Sequence, residues 1–92
     1  MFNSRDECME VLVRDSEMRR HEVVSMFRRP STETYRYSPD QRRSSDEELY
    51  AVLERHGNAW LFKERSRTAR EYFDNNPLPG TMIIVDGPAF LP

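Results

Sequence analysis

Apolar residues come in short clusters separated by charged stretches, and the spacing inside each cluster predicts an element. Ser4 and Glu7 have capping-box spacing, after which Cys8, Val11 and Leu12 share one helical face. Val23, Val24 and Phe27 form a second cluster, and Pro30 restricts the residue before it. These signals predict a helix from about residue 4 to residue 29. It has a break near Asp15 and Ser16, because Met18 is the only apolar residue between Arg14 and Glu22. A strand over 10–14 is the competing reading.

Residues 30–44, PSTETYRYSPDQRRS, read as a long connection with one extended piece at 34–37. A second helix is predicted over 45–56. Ser45 and Glu48 form its capping box, Leu49, Val52 and Leu53 face one way, and Gly57 stands just past its end. A buried strand at 59–62 follows, then a third helix opened by Ser66 or Thr68 and running through Ala69, Tyr72 and Phe73. One continuous helix over 58–75 is the alternative, and the Thr68–Glu71 capping pattern favours strand then helix. Residues 81–86 read as a β-branched strand closed by Asp86-Gly87, which completes a strand–helix–strand crossover. The expected fold is α+β: a single domain over 1–92 with three helices on a two- or three-stranded sheet. Trp60, Phe62, Ile83 and Val85 belong to its expected core, closed further by Phe2, Phe27, Phe73 and Phe90, while 88–92 is irregular.

Composition narrows the functional classes. The chain has 92 residues, of which only 19 are Leu, Ile, Val or Phe, enough for one small core. One cysteine, Cys8, allows neither an internal disulfide nor a cysteine zinc site. The first twenty residues are charged throughout, and no apolar run approaches the roughly 18 residues of a membrane span. A soluble, cytoplasmic protein with no membrane partner is expected.

Charge sharpens the picture. Thirteen of the 14 basic residues are Arg, whose planar fork suits carboxylate, phosphate and stacking contacts. Segment by segment the net charge is -2 over 1–27, +3 over 28–43, -3 over 44–56, +2 over 57–73 and -2 over 74–92. In the +3 segment Arg28, Arg29, Arg36, Arg42 and Arg43 have only Glu33 and Asp40 as local counter-charges. Tyr35 and Tyr37 flank Arg36, a composition suited both to bases and phosphates and to protein interfaces. The seven residues Arg28, Arg29, Tyr35, Arg36, Tyr37, Arg42 and Arg43 are therefore the candidate partner-binding set. Pairing of these arginines with Asp46, Glu47 and Glu48 is the structural alternative.

Catalytic patterns are missing. Gly57, Gly80 and Gly87 are never clustered, so there is no phosphate-cradling or dinucleotide loop. Glu17 and His21 stand four apart, but two ligands make no closed metal site. Asp86 is the best single catalytic candidate, and a turn-forming Asp before Gly explains it as well. No enzyme activity, cofactor, metal or small-molecule substrate is expected. The pI near 5.7 disfavours a dedicated DNA-binding domain.

In its compactness, its missing catalytic patterns and its Arg and Tyr segment from Arg28 to Arg43, the chain resembles the small phage-encoded anti-CRISPR proteins, in particular inhibitors of type I-F surveillance complexes. The resemblance spans all 92 residues without a diagnostic motif. It implies a non-enzymatic inhibitor that binds a multi-subunit protein and guide-RNA complex and blocks target nucleic acid by steric occlusion, in the host cytoplasm. A small RNA- or DNA-binding regulatory protein is the alternative expectation.

Overall fold

A computed structural model describes residues 1–76, 78 and 84–86. Its elements are α1 (Arg5–Arg14), β1 (Val23–Arg29), β2 (Thr34–Ser38), β3 (Glu48–His56), β4 (Ala59–Arg65), α2 (Arg67–Asn75) and β5 (Ile84–Asp86), with one 3-10 turn at Met18–Arg20. The strands form one sheet in the order β2-β1-β3-β4-β5. The first four are antiparallel neighbours and β5 runs parallel to β4. The α+β class stands, but among the described residues there are two helices rather than three and five strands rather than two or three.

Local signals for helix ends hold where a helix forms. The Ser4 hydroxyl accepts from Glu7 N–H at 3.0 Å, and α1 stops at Asp15, where a break was expected. Ser66, not Thr68, caps α2, accepting from Ala69 N–H at 3.2 Å. The crossover β4–α2–β5 is present, with Trp60 opposite Ile84. Residues 81–83, Phe90, the side chains of Ile83 and Val85 and the Asp86-Gly87 turn fall outside what is described.

The last part of the first predicted helix and most of the second are strands. Residues 23–29 form β1 and 48–56 form β3, because both lie in the middle of the sheet and are covered on both faces. A strand buried on two sides shows a continuous apolar run, which periodicity alone cannot tell from a helix. In β1, Val24 and Met26 turn to the side carrying both helices, while Ser25 and Phe27 are buried on the other. In β3 an extra residue, Tyr50, stands between the Met26–Ala51 and Phe27–Leu49 pairs. Such a bulge re-aims a side chain, and it brings Tyr50 and Ala51 into the same core cluster. The capping chemistry expected at Ser45 and Glu48 occurs one residue earlier. Ser44 N–H donates to Glu47 Oε1 at 2.9 Å, Glu47 N–H to the Ser44 carbonyl at 3.0 Å, and the chain then leaves as a strand. Gly57 ends no helix either. Its φ of 64° opens the two-residue loop between His56 and Ala59, where a type II′ turn requires glycine first.

The core lies between the sheet and its helices. Cys8, Met9, Leu12 and Val13 of α1 and Ala69 of α2 pack on Val24, Met26, Tyr35, Tyr50, Leu53, Trp60 and Phe62. Full burial of each large side chain is worth about 1.5–3 kcal/mol. Burial drives the Cys8 thiol up to about 12, so it is an inert core residue. No helix among the described residues is long and apolar enough to cross a membrane.

Candidate functional site

Strand alternation decides what the seven candidate residues can do. Consecutive side chains of a strand point to opposite faces, so residues interleaved in sequence separate in space. Arg28 stands opposite Tyr35, and Met26 opposite Tyr37, on the helix side. Arg36 stands opposite Phe27, and Arg29 opposite Thr34, on the other side. Tyr35 is 2 % exposed and belongs to the core. The Tyr37 hydroxyl donates to Asp15 Oδ2 at 2.6 Å, and its ring stacks on Phe2 at 5.9 Å between centroids. Burial raises the Tyr37 phenol, and the hydrogen bond it donates lowers Asp15. Neither tyrosine presents a free face beside Arg36.

The shortage of counter-charges inferred from the sequence disappears on folding. Three acids outside the segment, Asp46, Glu47 and Glu48, supply partners because the connection after β2 returns them to the same end of the sheet. Arg28 bonds Glu33 and, at 2.7 Å, Glu48. Arg29 Nε lies 2.6 Å from Asp46 Oδ2, off the N–H direction, as an ion pair rather than a directed hydrogen bond. Arg36 grips Glu47 with two bonds, from Nε at 2.5 Å and Nη2 at 2.8 Å. Arg42 folds back on Asp40 at 2.8 Å, and Arg43 donates to the Glu47 carbonyl at 2.7 Å. Four of the five arginines are thus held by carboxylates of the same chain and the fifth by its backbone.

The Arg36–Glu47 pair organises the loop between β2 and β3. Glu47 has 2 % of its side chain exposed, and the Arg36 guanidinium beside it holds the carboxyl down at about 2. Arg36 also lies 4.3 Å above the Phe27 ring and donates to the Arg42 carbonyl at 3.2 Å. One guanidinium therefore covers the sheet, neutralises the buried acid and fixes the loop backbone. Arg42 and Arg43 ride on that loop, and Arg42 keeps 91 % of its side chain in solvent.

A second centre, on the helix side, was not foreseen as a unit. The Arg5 guanidinium sits 4.0 Å from the centroid of the Tyr72 ring, 5.4 Å from Tyr35 and 5.7 Å from Tyr50. Glu33 binds Arg28, accepts from the Tyr35 hydroxyl at 3.1 Å and lies 3.9 Å from Arg5. Arg28 above all lowers the Glu33 carboxyl. Glu33 adopts φ 53°, a left-handed conformation that favours glycine or asparagine. The one sequence signal for this centre was Ser4, since the cap at Ser4 fixes where Arg5 begins its helix.

No group of three or more potential metal ligands occurs among the described residues. Glu17 pairs with Arg20 at 3.8 Å, and His21 is exposed. The Asp86 side chain lies outside what is described. No family model, curated protein or solved structure matches this chain.

Proposed function

We propose that the chain is a non-enzymatic binding protein that acts by covering a surface of a larger protein or protein–RNA assembly, in the manner of the phage inhibitors its layout resembles. The observation that carries the reading is the loop 39–47. A buried acid and a bidentate arginine hold its backbone still, while Arg42 and Arg43 project from it. Arginine on a pre-ordered loop loses little entropy on binding and is enriched among the residues that dominate interface affinity. The contact set narrows accordingly to Arg42 and Arg43, with Arg36 as their positioning residue.

The alternative, direct binding of free RNA or DNA, loses its stacking platform, since Tyr35 is in the core and Tyr37 is stacked and hydrogen-bonded inside the chain. The test is a double reversal, Arg42→Glu with Arg43→Glu, in pull-downs from host lysate with and without nuclease. Loss of the retained complex by a variant that still melts cooperatively as a folded chain supports the reading. Equal retention of the variant overturns the loop as the contact. Tight, steeply salt-dependent binding of a bare oligonucleotide by the parent protein favours the nucleic-acid alternative.

A further inference from the structure

We infer that Arg5, Arg28 and Tyr50 form a receptor for one side-chain carboxylate of a protein partner, and that Glu33 is its internal occupant, displaced when the partner binds. The inference rests on the reading of the chain as a protein-binding module and adds a second contact, remote from Arg42 on the opposite side of the sheet.

Unspent donors carry the argument. Tyr50 is 0 % exposed and its hydroxyl has no hydrogen-bond partner, and the buried Nε of Arg5 and of Arg28 have none either. Buried polar groups are satisfied in the great majority of cases, so unsatisfied donors gathered in one place call for an acceptor. The three lie close together: the Arg5 guanidinium sits 5.7 Å from the Tyr50 ring centroid, and Arg5 and Arg28 both reach Glu33. The carboxylate that reaches this place now is Glu33, and it meets Arg28 and Tyr35 fully but Arg5 only at 3.9 Å.

Glu33 is also the member most easily exchanged. Its side chain is 53 % exposed, against 24 % for Arg5 and 17 % for Arg28. It stands at the last position of the turn between Arg29 and Thr34, where its φ of 53° favours glycine or asparagine. Swinging that turn outward leaves Arg5 and Arg28 facing Glu48 alone. The net charge of +1 left behind matches a single incoming carboxylate. The Tyr35, Tyr50 and Tyr72 rings around Arg5 shield the new pair from water, which strengthens it.

The test titrates an end-blocked peptide, Ala-Ala-Glu-Ala-Ala, into the full chain and follows amide shifts by NMR. Glu33→Gln keeps the shape but removes the internal charge, Glu33→Asn also shortens the side chain, and asparagine tolerates the left-handed turn, so at least one variant weakens the internal occupant and retains the fold. The expected result is about tenfold tighter peptide binding by these variants than by the parent protein. Adding Arg5→Gln abolishes that gain, and a peptide with Gln in place of Glu fails to bind. Equal affinity of parent and Glu33 variants, or equal binding of the Gln peptide, overturns the proposal. Because the peptide reads this centre without a large assembly, its failure leaves the Arg42 and Arg43 pull-down result untouched, and the reverse holds as well.

Discussion

The two arginine centres are built from the same chemistry with the burial reversed. On the side of the sheet away from the helices the acid is inside: Glu47 is 2 % exposed and its partner Arg36 is 31 % exposed. On the helix side the cations are inside: Arg28 and Arg5 are 17 % and 24 % exposed, while Glu33 is 53 % exposed. A buried charge cannot leave its partner without a large desolvation penalty, whereas an exposed one can trade its partner for water or for another ion. The Glu47 centre is therefore a fastening, and the Glu33 centre an exchangeable contact.

The largest expected effect comes from breaking the fastening. Glu47→Gln leaves Arg36 over Phe27 without its counter-charge and turns one of its two acceptors into an amide NH2, while the remaining amide oxygen can still accept from Ser44 N–H. The cost is about 2–3 kcal/mol in chemical denaturation, below the roughly 3–5 kcal/mol of a fully buried pair because Arg36 is partly solvated. The same pair sets an acid response. The Glu47 carboxyl sits at about 2 in the folded chain against an ordinary 4.5, so its contribution is whole above about pH 4.5 and is lost as pH falls toward 2. Stability measured over that window should fall with a slope that Glu47→Gln lacks.

Arg36→Lys is the next step down. Lysine keeps the charge but cannot make both bonds to Glu47 or lie flat on Phe27, at a cost of about 1–2 kcal/mol in the same measurement. A finer comparison sets two tyrosines against each other. Tyr37→Phe removes a hydrogen bond to the Asp15 carboxylate and should cost about 1 kcal/mol, while Tyr50→Phe removes a hydroxyl with no partner and should leave stability equal or higher. A loss at Tyr50 equal to that at Tyr37 would show that its hydroxyl is already satisfied in the free chain. The smallest loss of a made contact belongs to Arg42→Glu with Arg43→Glu, which removes an exposed Arg42–Asp40 pair and one Arg43 bond to the Glu47 carbonyl and should cost no more than about 1 kcal/mol.

Legibility in the sequence followed the range of the interactions. The caps of α1 and α2, the break at Asp15 and the strand at Ala59 depend on contacts within a few residues and were readable, while the crossover to β5, which pairs Trp60 with Ile84, was read from the order of the elements. The segments 23–29 and 48–56 were not. Val23, Val24 and Phe27, like Leu49, Val52 and Leu53, fit a helical stripe as well as a strand covered on both sides. The arginine count failed for a related reason: it compared charges that are near in sequence, while Arg28 meets Glu48 twenty positions away and Arg36 meets Glu47 eleven away.

By itself the sequence determined where α1 and α2 begin, where α1 stops, and that its basic charge is almost all arginine, because those properties are local. Only the tertiary structure decided which arginines keep a solvent-facing end and which spend it inside. That choice depends on strand pairing, on a one-residue bulge at Tyr50 that turns its ring into the core, and on a loop that carries Glu47 back over Phe27. Each of these sets the distance between residues far apart in the chain, and no local pattern encodes such a distance.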